Sequence, residues 1–297
     1  MIVGRFAPSP SGRMHLGNIF TALIAWLSVR REKGKLLLRI EDLDPDRSKQ
    51  EYIDAIYRDL EWLGLNWDEE MPCQSKRGEI YAQYFDKLKT YPCFCARNEL
   101  HAASAPHASD GRVIYAGTCR NLPKTEYLKF PKKPSWRVEV PNETICFEDG
   151  VFGRLEQNMS QEWGDFIVRR ADGVYAYQLA VVCDDALGGV MQVVRGCDLL
   201  TATVPQIWLY HQFDFDVPQF FHVPLLVAPD GKRLSKRERS LDIAHLQEEY
   251  SASQVIGKLA FLSGLIDREC AISAQELISS FSWDKLSTRN IVIKPEI

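Results

Sequence analysis

The amino-acid sequence predicts an α/β fold with a doubly wound parallel sheet, and three observations support this prediction. Strand-like and helix-like apolar segments alternate over the first 63 residues. A proline-rich segment, residues 91–165, interrupts this alternation, which resumes in residues 166–240. Residues 241–297 have a largely helical rhythm. We therefore expect a sheet built from two halves, 1–90 and 166–240, which are separated by an insertion and followed by a small helical region.

The first half of the sheet is predicted from two strands and two helices. Residues 1–6 are typical of a short strand, and residues 36–40 form a continuous apolar run typical of a buried parallel strand. Between them a helix that ends at Gly34 is predicted by the spacing of Ile19, Ala22, Leu23, Trp26 and Leu27. A second helix, for which Ser48 is the expected N-cap with Glu51 three residues later, is predicted by Ile53, Ile56, Leu60 and Leu63.

The later elements are predicted from shorter patterns. The insertion contains six prolines and short β-like pieces such as residues 136–140. The α/β character returns in three apolar runs, at residues 166–168, 180–182 and 191–194. A helix is expected near residues 205–213, because Pro205 suits the first turn of a helix.

Composition limits the class of protein. The 297 residues are 45% hydrophobic and 26% charged, as in an ordinary globular chain, and the net charge of −4 gives no global basic field. No apolar run approaches the roughly 20 residues that span a membrane. The first residues lack a signal-peptide pattern, so we expect a cytoplasmic protein. Eight cysteines in such a chain are not expected to form a disulfide framework.

Two segments indicate a nucleotide site. A turn rich in Pro, Ser and Gly delivers His15 to a predicted helix N-terminus, where backbone N–H groups stabilise anions such as phosphate. About 220 residues later, the cationic residues 232–237 follow an Asp-Gly pair. Taken separately, each element has an ordinary structural explanation: the histidine can be a helix cap, and the cations can belong to a solvated hairpin. Together they predict one phosphate site assembled from both ends of the fold.

A second cluster indicates a metal site. Cys93, Cys95 and Cys119 lie in the proline-rich insertion, and three thiols can hold Zn²⁺ once a fourth ligand is found. Spacing alone points to His101 or His107 as that ligand. Because a Cys-x-Cys pair is weaker than paired Cys-x-x-Cys knuckles, free thiols remain an equal alternative at this point.

Several motifs, in collinear order over residues 1–240, resemble those of class I glutamyl-type aminoacyl-tRNA synthetases. Residues 15–18, His-Leu-Gly-Asn, stand where that family carries its HIGH motif, and residues 233–237, Arg-Leu-Ser-Lys-Arg, where it carries KMSKS. Residues 39–42 give Arg-Ile-Glu-Asp, the segment of the glutamate branch, and residues 177–185 and 194–196 resemble its amino-acid pocket. The sequence departs from the family at Asn18, which replaces a second histidine, and at both ends of the KMSKS counterpart.

This resemblance implies a Rossmann-type catalytic domain that activates L-glutamate with ATP and Mg²⁺. The implied catalytic residues are His15 and Lys236, with ATP also contacted by Gly17, Asn18 and Ser235. Glutamate binding is implied for Arg5, Ala7, Ser9, Glu41, Tyr177 and Arg195. The guanidinium groups match carboxylates bidentately, and Glu41 is expected to hold the ammonium group. The resemblance also implies a structural zinc held by Cys93, Cys95, Cys119 and, instead of a histidine, Tyr115.

Length and one pocket residue favour a truncated branch of the family. Only 60 residues follow Arg237, too few for the helical anticodon-binding domains of full glutamyl-tRNA synthetases, and Val181 stands where those enzymes tend to have Asn. This branch is understood to attach glutamate to the queuosine base in the anticodon of tRNA(Asp), and we expect a monomer. The alternatives are a truncated synthetase that charges a tRNA 3′ end, a catalytically silent module that binds tRNA or protein, and a small-molecule adenylyl-transferring ligase.

Overall fold

A seven-stranded sheet forms the centre of the molecule. The computed structural model describes residues 1–95, 114–232 and 242–293. In those ranges the strands are β1 (Val3–Phe6), β2 (Lys35–Leu38), β3 (Glu69–Glu70), β4 (Thr90–Cys93), β5 (Ser135–Val138), β6 (Thr144–Asp149), β7 (Gly153–Asn158), β8 (Ile167–Arg169), β9 (Gln192–Gly196), β10 (Gln219–Val223), β11 (Leu226–Val227) and β12 (Ile291–Val292). The helices are α1 (Leu16–Arg31), α2 (Gln50–Trp62), α3 (Gly78–Phe85), α4 (Tyr177–Leu187), α5 (Thr203–Gln212), α6 (Ile243–Glu249), α7 (Ala252–Leu262) and α8 (Ala274–Leu277).

The strand order of the central sheet is β3-β2-β1-β9-β10-β6-β7. All neighbours are parallel except β6 and β7, which form an antiparallel hairpin at one edge. The chain therefore proceeds outward from β1 in one direction and, after the insertion, outward from β9 in the other. In open α/β sheets the crevice beyond the carboxyl ends of strands at such a reversal is the usual place for a ligand.

Helix α1 packs against the middle of this sheet and is buried on almost every side. Eleven of its 16 residues are buried, which explains why it is apolar over more than a single stripe. On its far side the helical region α6–α8 joins the same hydrophobic core. Gly34 follows the helix because a Cβ at that position would lie 2.4 Å from the carbonyl oxygen of Ile2. Helix α1 itself ends at Arg31 rather than at Gly34, and the left-handed residue after it is Lys33, with φ of 52°.

The predicted α/β fold is confirmed, with local differences. The N-cap of α2 is Lys49 rather than Ser48, because the amide of Ser48 closes a turn on the carbonyl oxygen of Asp44 before the helix begins. Of the three later apolar runs, the first and third form strands, whereas residues 180–182 lie inside α4. Pro205 occupies the first turn of α5, as expected.

The segment predicted as an insertion contributes to two sheets. Strands β4, β5 and β8 form a separate three-stranded antiparallel sheet. The hairpin β6–β7 instead joins the central sheet through Asp149, which pairs with Phe220 of β10. The limits of the insertion stay a prediction.

Within the described residues, no helix is long and apolar enough to cross a membrane.

Candidate active site

The turn between β1 and α1 places His15 at the N-terminus of α1, directly before the first helical residue. His15 is the N-cap, its Nδ1 accepts from the amide of Gly17 at 3.1 Å, and its own amide donates to Oδ1 of Asn18 at 3.1 Å. A neutral ring with Nδ1 as acceptor carries its proton on Nε2. Gly17 permits this arrangement, because a Cβ there would lie 3.0 Å from Cε1 of His15.

The chain that follows the cationic segment returns to this turn. His15 forms an isolated antiparallel bridge with Asp242, and the amide of Ile243 donates to the carbonyl oxygen of Met14 at 3.2 Å. Ser235 and Lys236 themselves lie outside the described residues. Asp242, six residues beyond Lys236, therefore lies beside His15, and one phosphate site formed by the two segments stays a prediction.

A buried ionic cluster lies at the carboxyl ends of β1 and β2. The amides of Arg39 and Glu41 continue the pairing beyond the strands by donating to the carbonyl oxygens of Phe6 and Pro8, each at 3.0 Å. Arg39 is fully buried; its Nη2 donates to Glu41 Oε1 at 2.9 Å and its Nη1 donates to Asp185. Asp185, which α4 contributes, also accepts from Nε of Arg5 at 3.3 Å.

The electrostatics of this cluster follow from its burial. Although burial opposes ionisation, Arg39 and Arg5 hold the pKa of Asp185 below its usual value. Burial raises the pKa of Glu41, and the neighbouring guanidinium groups only partly offset that effect. Glu41 is thus a carboxylate whose charged form gains from a further cation.

Arg195, at the end of β9, has a different environment. It is 4% exposed, and its Nε donates to His222 Nε2 at 3.0 Å, Nη1 to Gln206 Oε1 at 2.6 Å and Nη2 to Thr203 Oγ1 at 2.7 Å. Every one of these partners is neutral, and among the described residues no carboxylate forms an ion pair with Arg195. Burial accordingly lowers the pKa of its guanidinium. An unpaired buried cation is costly unless an anion joins it.

Tyr177 lies close to Arg195 and also to Arg5 and Glu41 of the buried ionic cluster. It begins α4, and burial followed by the Glu41 carboxylate raises its pKa. Tyr177, Val181 and Asp185 are spaced by four residues, so they share the helix face that meets the sheet edge. The predicted residues Arg5, Glu41, Tyr177 and Arg195 are therefore brought together. Ala7 and Ser9 follow β1 directly, Ala7 partly buried and Ser9 exposed.

The three cysteines of the insertion form a compact cluster with Tyr115. Their sulfur atoms lie within 4.8 Å of one another. The hydroxyl oxygen of Tyr115 lies 3.5 Å from Cys93 Sγ and 3.6 Å from Cys95 Sγ, and Cys95 Sγ lies 3.7 Å from Cys119 Sγ. Around a tetrahedral zinc the S···S and S···O edges are about 3.8 and 3.5 Å. The four groups therefore fit zinc in both donor type and spacing.

The electrostatics of the cluster favour the ionised form of one thiol, that of Cys93, whereas burial raises the pKa of Cys95 and of Tyr115. Burial opposes ionisation of Cys93, but hydrogen bonds from Tyr115, the Cys95 backbone and Arg137 outweigh it and lower the pKa of the thiol. Arg137 Nε lies 3.3 Å from Cys93 Sγ, and its guanidinium stacks 3.7 Å from the centre of the Tyr115 ring. His101 and His107, the ligands suggested by spacing alone, lie outside the described residues.

Sequence reasoning did not assign several residues that organise the site. Asp184 is fully buried and accepts from Arg77 Nε at 2.6 Å, Gln74 Nε2 at 2.8 Å and the Tyr81 hydroxyl. The available signal was the pair Asp184-Asp185 directly after five apolar residues of one helix, because buried carboxylates require partners. Asp149 and His222 carried no comparable signal.

Comparisons with known proteins agree on one family. The family model described as class I tRNA synthetases (E and Q), catalytic domain, matches residues 1–296. A glutamyl-Q tRNA(Asp) synthetase of Nitratidesulfovibrio vulgaris is 44% identical over 100% of this chain and 97% of that protein. A glutamate–tRNA ligase of Sulfurihydrogenibium sp. is 39% identical over 93% of this chain and 62% of that protein. The crystal structure of a glutamate tRNA ligase from Elizabethkingia meningosepticum, in complex with its amino acid, superposes with a TM-score of 0.82 at 27% identity, covering 99% of this chain and 67% of that one.

Proposed function

Since this chain belongs to the class I tRNA synthetases of the glutamate and glutamine group and is a ligase of that kind, we propose that it joins glutamate to the queuosine base of tRNA(Asp). The reaction has two steps. ATP first activates L-glutamate as glutamyl adenylate with release of pyrophosphate. The glutamyl group is then transferred to queuosine in the anticodon.

The observation that carries the amino-acid assignment is the buried guanidinium of Arg195, which forms no ion pair with any carboxylate of the described residues. It lies close to Tyr177, as do Glu41 and Arg5, and Arg5 donates its Nε to Asp185 and its Nη1 to the carbonyl oxygen of Val194. Two guanidinium groups and one carboxylate complement an amino acid that bears two carboxylates and one ammonium group. Glutamate is such a molecule.

The first step requires charge stabilisation rather than a covalent nucleophile. An oxygen of the glutamate α-carboxylate attacks the α-phosphorus of ATP, and the bond to the pyrophosphate oxygen breaks. His15 Nε2 donates a hydrogen bond to the α-phosphate at the N-terminus of α1, and Lys236 pairs with the departing pyrophosphate. Gly17, Asn18 and Ser235 contact the nucleotide. Mg²⁺ that accompanies ATP would supply further neutralisation of charge.

The acceptor assignment is supported by the relatives. Identity and mutual coverage are both higher with the glutamyl-Q tRNA(Asp) synthetase, at 44% and 97%, than with the glutamate–tRNA ligase, at 39% and 62%. Val181, a buried residue of α4 between Tyr177 and Asp185, is the sequence feature that favours the same branch. Basic residues of the insertion and of residues 232–239 contact tRNA phosphates, so binding weakens as salt is raised.

Zinc has a structural role in this proposal. Cys93, Cys95, Cys119 and Tyr115 would hold it and would so link β4 to residues 115–119. No chemical step passes through it.

Activation is tested by pyrophosphate exchange with glutamate, glutamine and aspartate, each with and without tRNA. We expect exchange with glutamate alone, and without tRNA. No exchange with any of the three amino acids overturns the proposal and favours a silent binding module.

The acceptor is tested with labelled glutamate and two forms of tRNA(Asp), with and without queuosine. Transfer is expected only to the first. Digestion of the product to nucleosides then locates the label on queuosine; label on the terminal adenosine favours a synthetase that charges the 3′ end.

A further inference from the structure

A buried chain of hydrogen bonds runs from the β6–β7 turn to Arg195. Asp149 Oδ1 accepts from the amides of Val151 and Phe152 at 3.0 and 2.9 Å. Its other oxygen, Oδ2, contacts His222 Nδ1 at 2.6 Å, and His222 Nε2 faces Nε of Arg195 at 3.0 Å. Asp149 and His222 are 2% and 0% exposed, so this chain of hydrogen bonds is shielded from bulk solvent.

The directions of these hydrogen bonds are fixed by the chemistry of the groups. A guanidinium only donates, so Nε2 of His222 must be an acceptor and the ring proton must be on Nδ1. That proton is donated to Asp149. Burial lowers the pKa of His222 to about 4, so the imidazole is neutral at neutral pH.

The neutral imidazole keeps the Asp149 carboxylate away from Arg195. It orients the guanidinium through Nε, while Gln206 and Thr203 orient the two terminal nitrogens. Arg195 is thus held at three atoms by groups that do not neutralise it. A carboxylate at the position of His222 would satisfy the charge internally and leave less for the ligand.

We propose that Asp149 and His222 are positioning residues that fix the tautomer facing Arg195 and so preserve its charge for the carboxylate of the amino-acid substrate. This inference rests on the proposed binding of glutamate by Arg195.

Two substitutions at one position separate contact with Arg195 from contact with Asp149. In His222→Gln the amide oxygen reaches the position of Nε2 and still accepts from Arg195. In His222→Asn the shorter side chain keeps its amide near Asp149 but does not reach Nε of Arg195. Loss of a hydrogen bond to a charged group predicts that His222→Asn raises KM for glutamate about 10- to 100-fold, with kcat and KM for ATP nearly unchanged. His222→Gln is expected to recover most of that loss, and His211→Asn, at an exposed histidine, serves as the control.

Asp149→Asn tests the tautomer directly. Asn Oδ1 can keep both backbone amides of the turn, but its NH₂ group donates to Nδ1, and the ring proton moves to Nε2 against Arg195. Long-range ¹H–¹⁵N spectra of the imidazole are expected to show the proton on Nδ1 in the wild type and on Nε2 in the variant. KM for glutamate is expected to rise.

The outcomes distinguish this inference from the proposed function. If the wild type shows no glutamate-dependent exchange, the proposed function fails. If the wild type is active but His222→Asn leaves KM for glutamate unchanged, or His222→Gln is as impaired as His222→Asn, only the positioning role is overturned. An Nε2 proton in the wild-type spectrum also overturns it.

Discussion

Replacement of Arg195 by methionine is expected to damage glutamate use while leaving the fold nearly as stable. Methionine keeps much of the length of the side chain but removes its charge. Loss of one partner from a buried charge pair typically costs about 2–5 kcal/mol in binding. The KM for glutamate should therefore rise about 30- to 5,000-fold, whereas KM for ATP should stay close to that of the wild type.

The stability of this variant is set by the neutral partners of Arg195. Removal of the guanidinium leaves acceptors on His222, Gln206 and Thr203, but it also removes an unpaired buried cation, and the Thr203 hydroxyl lies 3.3 Å from His222 Nε2. We expect a free energy of unfolding within about 1–2 kcal/mol of the wild type. Arg39→Met is the matched comparison. It strands the carboxylate of Glu41 and leaves Asp185 with Arg5 alone, and it is expected to cost about 3–5 kcal/mol.

Pyrophosphate exchange at varied glutamate and ATP, together with urea unfolding, measures both effects. If Arg195→Met loses as much stability as Arg39→Met, Arg195 is a structural ion-pair partner and the reasoning fails. An unchanged KM for glutamate in a folded Arg195→Met protein refutes the binding role.

Three further predictions concern other parts of the chain. Lys236→Ala should lower pyrophosphate exchange about 100- to 1,000-fold if the amine stabilises developing charge, and near-normal exchange would remove it from the mechanism. Elemental analysis should find one zinc per chain, and it should find less zinc in Cys95→Ser, whose melting temperature should also fall. The prediction is contradicted if protein from which no metal was removed during purification contains no zinc and keeps its melting temperature when a chelator is added. Burial raises the pKa of Asp59 to about 6. Between about pH 4 and 6 the native state therefore binds more protons than the unfolded chain, and the free energy of unfolding falls as the pH rises. Above that window the ionised Asp59 destabilises the fold. Asp59→Asn should therefore stabilise by about 1–3 kcal/mol at pH 7 and much less at pH 4.5, as measured by urea unfolding; equal gains at both values would rule out this cause.

Local patterns predicted the parts of the fold that depend on neighbouring residues. The β1–α1–β2 unit and the position of Pro205 in α5 followed from apolar spacing and turn chemistry. The N-cap of α2 was wrong because the turn that closes on Asp44 uses Ser48 before the helix starts. Residues 180–182 are ambiguous in isolation, since a short apolar run suits a buried strand as well as a buried helix.

The sequence by itself determined which chemical groups are available: arginines and a glutamate at strand ends, a histidine at a helix N-terminus, and three clustered cysteines. It did not determine which arginine carries an unpaired charge, because Arg5, Arg39 and Arg195 look alike as single basic residues. That difference arises when α4 brings Asp185 to Arg5 and Arg39, across 180 and 146 positions of the chain, while β10 brings the neutral ring of His222 to Arg195. Partners so distant along the chain meet only through tertiary packing, and in a buried site the charge of the nearest partner decides whether a cation stabilises the protein or binds a ligand.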